Sequence, residues 1–189
     1  MQDGVLVAYA SRFGSTRGIA ERIGGVLAAA GLAVDVREAA GVATLIGYHA
    51  VVLGSAVEAG HWLPGAATFM ADNHAALAAC PLWLFSSGPL GDRSVGAPQP
   101  DPKEVAAVRA TLGPRDCRVF AGAFDRATAD FSGMGVVERT VVRRFLPDGD
   151  WRDWPEIEAW AAGIARELAP ERPSGSSPKP VREPSLTAR

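Results

Sequence analysis

The stretch Val-Leu-Val-Ala-Tyr-Ala-Ser-Arg-Phe-Gly-Ser-Thr, residues 5–16, decides the fold. Residues 5–10 form a continuous apolar run, which is typical of a strand buried on both faces of a parallel sheet. From Thr16 onward the apolar period becomes helical, with Ile19, Ile23 and Leu27 on one face. The stretch therefore predicts a buried strand, a short polar loop and a helix in direct succession.

The same alternation continues along the chain. Further strand patterns cover residues 32–37, 50–57, 81–87 and 117–124, with a helical or looped piece at residues 42–47. Further helix patterns cover residues 64–77, 103–112 and 153–168. The last helix begins at Asp153, and Glu156 three residues later completes a capping box. Alternating strands and helices predict an α/β doubly wound parallel sheet with helices on both faces.

Composition narrows the class of protein. The chain has 189 residues, of which 48% are hydrophobic and 21% charged, as in ordinary globular domains. Its formal net charge of −2 gives no reason to expect a nucleic-acid partner. No apolar run is long enough for a transmembrane segment, and the first residues lack a basic leader, so we expect a cytoplasmic protein. The cysteines and histidines form no metal-ligand pattern, and Cys80 and Cys117 are expected to be buried free thiols.

Two segments lie outside the alternating plan. Residues 125–150 separate the fifth strand from the last helix by far more than an ordinary connecting loop. Within this insertion an amphipathic helix is predicted from the spacing of Val137, Val141, Val142, Phe145 and Leu146. This helix either lies on the domain or forms a surface for a partner or a quinone. Residues 170–189 are rich in Pro, Ser and Arg and are predicted to be a disordered tail, which leaves residues 1–169 as the domain.

Ligands of open parallel sheets bind beyond the carboxyl ends of the strands. Three loops with unusual composition leave those ends, and we take them as candidate binding loops. The first is an anion site at a helix N-terminus, formed by Ser11, Arg12, Phe13, Gly14, Ser15 and Thr16, with simple helix capping as the alternative. The second follows the third strand and contains Ser55, Ala56, Val57, Glu58, Ala59, Gly60 and Trp62. The third contains Ser87, Gly88, Pro89, Leu90, Gly91 and Asp92.

Other phosphate-binding motifs are missing. No G-x-G-x-x-G follows the first strand, which argues against a dinucleotide site. A P-loop needs a lysine, but the first lysine of the chain is Lys103. A phospho-receiver domain needs an aspartate after the third strand, where this chain has Gly54 and Ser55.

One phosphate loop and two loops of small residues suit a flat, phosphorylated ring such as flavin mononucleotide (FMN). Trp62 could stack on the ring or pack on the following helix. His61 is expected at the surface or the ring edge rather than as a catalytic base, and no catalytic residue or metal site is predicted. In flavin chemistry the cofactor performs the difficult step.

The chain resembles the flavodoxin family. V-L-V-A-Y-A-S-R-F-G-S-T is similar to the family's first strand and phosphate loop, while V-V-L-G-S-A-V and W-L-F-S-S-G-P-L-G-D resemble its two later loops. The stretch G-D-W-R-D-W-P-E-I-E-A-W-A, residues 149–161, is similar to one that distinguishes flavodoxin-domain proteins related to menaquinone-dependent protoporphyrinogen oxidase. The resemblance implies a flavodoxin-like five-stranded parallel sheet with strand order 2-1-3-4-5.

The resemblance also implies a function. The expected activity is that of an FMN-dependent oxidoreductase that passes electrons to a redox partner or quinone, with a porphyrinogen as a candidate substrate and with peripheral membrane association open. A one-electron flavodoxin-type carrier and a flavin-free scaffold remain as alternatives. Two positions depart from the family pattern: Phe13 occupies the second hydroxyl position of T-x-T-G-x-T, and Glu58 stands where relatives commonly carry an aromatic residue.

Overall fold

The computed structural model describes residues 4–88, 90, 101–132 and 134–169. Its strands are β1 (Gly4–Ala10), β2 (Val34–Glu38), β3 (Tyr48–Glu58), β4 (His61–Trp62), β5 (Leu82–Ser87), β6 (Asp116–Phe120), β7 (Ala123–Phe124) and β8 (Gly149–Asp150). Its α-helices are α1 (Ser15–Ala29), α2 (Pro64–Asp72), α3 (His74–Ala78), α4 (Lys103–Leu112), α5 (Val136–Phe145) and α6 (Trp154–Leu168), and a 3-10 turn spans Ala39–Gly41. The predicted tail, residues 170–189, lies outside the described residues.

Five strands form a parallel sheet in the order β2-β1-β3-β5-β6. The predicted order 2-1-3-4-5 is confirmed, because the strand β4 is a two-residue addition that pairs antiparallel with the end of β3. β1 lies at the centre of the crossover, with Val7 opposite Val36 of β2 and Val52 of β3. The strand order reverses direction at β1, and ligands of such sheets bind at this point, beyond the carboxyl ends of the strands. The candidate loops lie at this carboxyl edge of the sheet.

Each face of the sheet is covered by helices. Leu6 and Leu53 belong to one apolar cluster, which α2, α3 and α4 cover. Val7 and Val52 belong to the other, which α1 and α6 cover. Side chains alternate between faces along a strand, so a strand with both faces covered must be apolar at nearly every position. That requirement explains the continuous apolar run of β1.

Two predicted elements are divided in the structure. The helix expected over residues 64–77 breaks at Asn73, where φ is −108° and the side-chain amide donates to the Phe69 carbonyl at 3.0 Å. The strand expected over residues 117–124 ends at Phe120. Its last part instead forms β7, which pairs with β8 in a separate two-stranded ribbon. The helix prediction missed the side-chain hydrogen bond of Asn73, and the strand prediction missed that Ala123 and Phe124 pair with β8 rather than with the parallel sheet.

The insertion contains the predicted amphipathic helix, α5. Four of its apolar side chains are largely exposed: Val136 by 71%, Val137 by 78%, Val141 by 48% and Phe145 by 73%. In the described parts of the chain, no helix is long and apolar enough to cross a membrane. α5 therefore joins the domain through only part of its apolar surface.

The last helix begins as predicted. The Asp153 carboxylate accepts the Glu156 N–H at 3.0 Å and caps α6. Behind the cap, Ile157 and Ile164 are buried against the sheet, and the Trp160 indole donates to Asp116 at 2.9 Å. The stretch that resembles the oxidase-related proteins thus builds the helix that closes one face of the sheet.

Candidate functional site

A cavity of about 530 Å³ opens at the carboxyl edge of the sheet. It lies beyond the ends of β1, β3 and β5, because parallel strands all end at the same edge. The three predicted loops meet there. Their residues in the cavity wall are Ser11, Arg12, Phe13, Ser15, Thr16, Ala56, Val57, Glu58, Ala59, Ser87, Gly88 and Leu90. Pro89, Gly91 and Asp92 lie outside the described residues.

The first loop makes a tight turn directly into the N-terminus of α1. Gly14 has φ of 85°, a left-handed conformation that side chains rarely adopt, and its N–H donates to the Ser11 hydroxyl at 3.1 Å. α1 starts directly afterwards at Ser15, with no acidic residue in its first turn. The first amides of a helix have no intrahelical acceptor and carry the positive end of its dipole. The loop therefore presents donors and positive potential to the cavity.

Among the described residues of the cavity wall, Thr16 carries a buried polar atom without a hydrogen-bond partner. Its side chain is fully buried at the start of α1, and its hydroxyl has no hydrogen-bond partner. Buried hydroxyls are nearly always paired, since an unpaired one costs about 1–3 kcal/mol. Because Thr16 also lines the cavity, a ligand with phosphate oxygens would supply the missing partner.

Ser15 lies in the cavity wall, and its hydroxyl has hydrogen-bond partners within the protein. Its hydroxyl accepts the Ala123 N–H at 2.8 Å and shares a hydrogen bond with the Ser87 hydroxyl at 3.2 Å. A Cβ at Gly122 would meet Leu90 at 3.0 Å and the Ser15 hydroxyl at 3.4 Å, so glycine permits this close approach. Ser15 thus ties the first loop, the third loop and the chain after β6 together at the cavity.

Phe13 also points toward the insertion. Its ring lies edge-on to Phe124, with centroids 5.2 Å apart, and tilted against Phe131 at 5.9 Å. The Arg143 guanidinium lies over the Phe131 ring at 5.1 Å. The residue that replaces a phosphate-loop hydroxyl therefore anchors the insertion to the domain.

The second loop is the hairpin between β3 and β4. Ala59 and Gly60 form its turn, both with positive φ. Ser55, predicted to bind cofactor, is fully buried; its hydroxyl donates to the Ala56 carbonyl at 2.8 Å and accepts the Leu63 N–H at 2.9 Å. Ser55 and Gly60 are not part of the cavity wall, whereas Ala56 to Ala59 are.

The prediction that Trp62 could stack on a bound ring was wrong. Its side chain is only 3% exposed and belongs to the apolar cluster under α2. The indole N–H donates to the Ser86 hydroxyl at 2.9 Å. Pairing with Val57 fixes Trp62 in β4, and burying an indole with a satisfied N–H is far more favourable than exposing it. The alternative interpretation, packing on the following helix, is the correct one.

His61 lies outside the cavity wall and contacts a residue that the sequence did not single out. Its Nδ1 lies 2.8 Å from the Glu104 carboxylate, whose other oxygen accepts the Trp62 N–H at 2.9 Å. Burial pushes the pKa of Glu104 upward, but the hydrogen bonds from Trp62 and His61 outweigh it and lower the pKa overall. Glu104 therefore holds β4 in place as a carboxylate.

Arg12 and Glu58 form an ion pair at the cavity. One guanidinium nitrogen, Nη1, lies 2.8 and 2.7 Å from the two carboxylate oxygens. The two side chains are 28% and 43% exposed. The pair links the loop after β1 to the hairpin after β3, so the Glu58 charge is neutralised within the protein.

The remaining wall of the cavity comes from the insertion and the chain after β6. It consists of Gly122, Ala123, Val142, Leu146 and Pro147, none of which was predicted as a site residue. The sequence showed the apolar pattern of α5, but it did not show which side of the domain this helix covers. No cluster of three or more potential metal ligands occurs among the residues that the structure describes.

The family model of the flavodoxin domain matches residues 6–145. The match spans β1 through α5, including all three candidate loops. No curated protein sequence matches the chain. The chain belongs to the flavodoxin-domain family.

Solved structures share the fold at low identity. A flavodoxin from the domain Archaea is 18% identical, with 87% of this chain and 97% of that chain covered and a TM-score of 0.57. Oxidised flavodoxin 2 from Bacillus cereus is 21% identical, covering 87% and 99%, with a TM-score of 0.58. Rubredoxin oxygen:oxidoreductase from Desulfovibrio gigas is 16% identical, covering 88% of this chain but 37% of that one, with a TM-score of 0.57. These neighbours establish the flavodoxin fold.

Proposed function

We propose that this flavodoxin-domain protein binds FMN in the cavity and acts as an oxidoreductase. The observation that carries the proposal is the buried, unpartnered hydroxyl of Thr16, a residue of the cavity wall at the start of α1. A phosphomonoester suits this position, because phosphate oxygens accept hydrogen bonds from a hydroxyl and from the amides at a helix N-terminus. Family membership supports the same choice of ligand.

Different residues of the cavity would bind the phosphate and the ring of the ligand. Thr16, Ser11 and the first amides of α1 would hold the phosphate. Residues 56–59 and the Ser87–Gly88 backbone would contact the ring, which small side chains allow the main chain to approach. When bound, FMN supplies the redox chemistry. We assign no acid or base residue, and the protein's part is to bind and orient.

The apolar wall favours an uncharged organic partner over a small charged one. Val142, Leu146 and Pro147 line the cavity, and α5 also carries exposed valines and the exposed Phe145. A quinone suits such a surface, since accepting two electrons and two protons converts it to a neutral hydroquinone. The proposal places the protein in the cytoplasm, with α5 available to the inner face of a membrane that dissolves the quinone.

The electron donor belongs to the same proposal. The resemblance of residues 149–161 to proteins related to protoporphyrinogen oxidase suggests a porphyrinogen, an apolar macrocycle that loses hydrogen on oxidation. A flavodoxin-type carrier is the second candidate, and the shared fold favours it. Carriers that dock through acidic surfaces need a strongly negative chain. This chain has a formal charge of only −2, which argues against that kind of carrier.

Quinone reduction can be tested directly. The FMN-loaded protein is reduced without oxygen, and reoxidation by a water-soluble quinone is followed by flavin absorbance. Replacing Val141 and Phe145 by serine should slow quinone reoxidation severalfold while leaving reoxidation by ferricyanide unchanged. Ile46→Ser is the matched control, because Ile46 is 89% exposed and precedes β3 at the opposite edge of the sheet. Equal rates in all variants would favour a carrier without an apolar acceptor site.

A further inference from the structure

The two charged side chains of the cavity wall contact each other. Among its described residues, Arg12 is the cation and Glu58 the anion. The other described side chains of the cavity wall are neutral, and the Phe13 ring packs against Phe131 of the insertion. A phosphomonoester entering the cavity therefore meets one positive side chain, which a carboxylate already holds.

The contact between Arg12 and Glu58 is of a kind that exchanges readily. A single nitrogen serves both carboxylate oxygens, in place of the two parallel hydrogen bonds of the strongest arginine–carboxylate pairs. Both side chains are partly exposed, and ion pairs in contact with water contribute little to stability. A phosphate dianion carries more charge than the carboxylate and accepts hydrogen bonds from a guanidinium equally well.

Arg12 is positioned to make that exchange. It lies two residues before Gly14, in the same loop as Ser11 and directly ahead of α1. The loop offers neutral donors for a phosphate, namely the Thr16 hydroxyl and the amides of the first helical turn. Neutral donors orient a dianion but leave most of its charge uncompensated, whereas a guanidinium removes one unit of it.

We infer that Arg12 selects phosphorylated flavin over unphosphorylated flavin by leaving Glu58 to pair with the ligand phosphate. Glu58 holds the guanidinium at the cavity in the free protein and competes with the phosphate for it. This inference rests on the proposed function and adds to it the residue that distinguishes FMN from riboflavin. Thr16 and the helix amides bind the phosphate, and Arg12 supplies the charge.

The test compares two ligands that differ only by the phosphate. FMN and riboflavin are titrated into flavin-free protein, and binding is followed by quenching of flavin fluorescence. Arg12→Gln should weaken FMN binding about tenfold while changing riboflavin binding less than about twofold. Arg12→Lys, which keeps the charge, should recover most of the loss. Glu58→Gln should tighten FMN binding severalfold, because the competing carboxylate is gone.

Arg17→Gln provides the matched control. Arg17 lies in the first turn of α1 and pairs with Glu21 at 2.8 Å, but it is 62% exposed and is not part of the cavity wall. Its removal should leave the ratio of FMN to riboflavin affinity unchanged. Equal weakening of both ligands by Arg12→Gln, or no change in their ratio, would overturn the inference while leaving flavin binding established. A wild-type protein that binds neither flavin would overturn the proposed function and the inference together.

Discussion

The ring of Phe13 lies edge-on to the ring of Phe124, with centroids 5.2 Å apart and ring planes at 78°. This contact joins the loop after β1 to β7, which directly precedes the insertion, and the Phe13 contact with Phe131 reaches the insertion itself. Ser15 makes a second connection through the Ala123 N–H. The binding loop and the insertion therefore form one structural unit.

Removing the Phe13 ring should loosen this unit. We expect Phe13→Ala to reduce the free energy of unfolding by about 2 kcal/mol, since a partly buried ring and its aromatic contacts are lost. Limited proteolysis should cut the insertion faster in the variant. Phe145→Ala is the control, because Phe145 is largely exposed and its loss should change stability by less than about 0.5 kcal/mol. Similar stability losses in both variants would contradict the anchoring role of Phe13.

Replacing two glycines, one before α1 and one within it, by alanine should change the free energy of unfolding in opposite directions. Gly14 has a φ of 85°, so Gly14→Ala should destabilise the protein by about 1 kcal/mol even though the space around it is open. Gly25 lies in α1 with ordinary φ and open space, so Gly25→Ala should stabilise it by about 0.5–1 kcal/mol. Urea unfolding measures both changes. Equal effects would mean that the left-handed turn before α1 does not exist.

Arg12 and Glu58 should shift the flavin potential in opposite directions. At ~8 Å and an effective dielectric constant of ~20, one unit charge changes the energy of an anionic reduced flavin by about 2 kcal/mol, on the order of 90 mV for one electron. Glu58→Gln removes a negative charge from the cavity wall and should raise the potential by tens of millivolts. Arg12→Gln leaves Glu58 uncompensated and should lower it. Spectroelectrochemical titration measures the flavin potential of each variant. Shifts of the same sign in both variants would contradict the pairing of Arg12 with Glu58.

The two cysteines should be poorly reactive in the folded protein. Burial raises the pKa of Cys117 to about 11 and also raises the pKa of Cys80. At pH 8 alkylation should therefore be much slower in native protein than in urea-unfolded protein. For the same reason stability should fall as the pH rises from about 9 to 11, because the unfolded chain releases thiol protons that the folded chain retains. Equally fast alkylation of native and unfolded protein would show that the thiols are exposed.

The sheet was predictable because its signals are local. The apolar run of β1, the helical period of α1 and the Asp153 cap each depend on residues adjacent in sequence. Strand order and the edge that holds the site followed from the family resemblance and from the geometry of parallel sheets. The helix break at Asn73 was missed because its cause, a side-chain hydrogen bond to Phe69, leaves the apolar pattern intact.

The site was only partly predictable, because residues distant in sequence decide which side chains face the cavity. Trp62 follows the binding hairpin in sequence, yet its pairing with Val57 and its bond to Ser86 place it in the core. Pairing between Arg12 and Glu58 joins two loops that are separated in sequence by α1, β2 and most of β3. Such contacts depend on the packing of whole elements, which no local pattern reports.

Thr16→Val tests the central claim most directly, because the claim is that the buried Thr16 hydroxyl awaits a ligand phosphate. Valine keeps the shape of threonine and removes the hydroxyl. The flavin-free variant should be more stable than wild type by about 1 kcal/mol, since an unpaired buried hydroxyl is gone. Its FMN affinity, measured by fluorescence titration, should fall tenfold or more, since a charge-assisted hydrogen bond is worth about 1.5–3 kcal/mol. An FMN affinity equal to that of wild type would contradict the account.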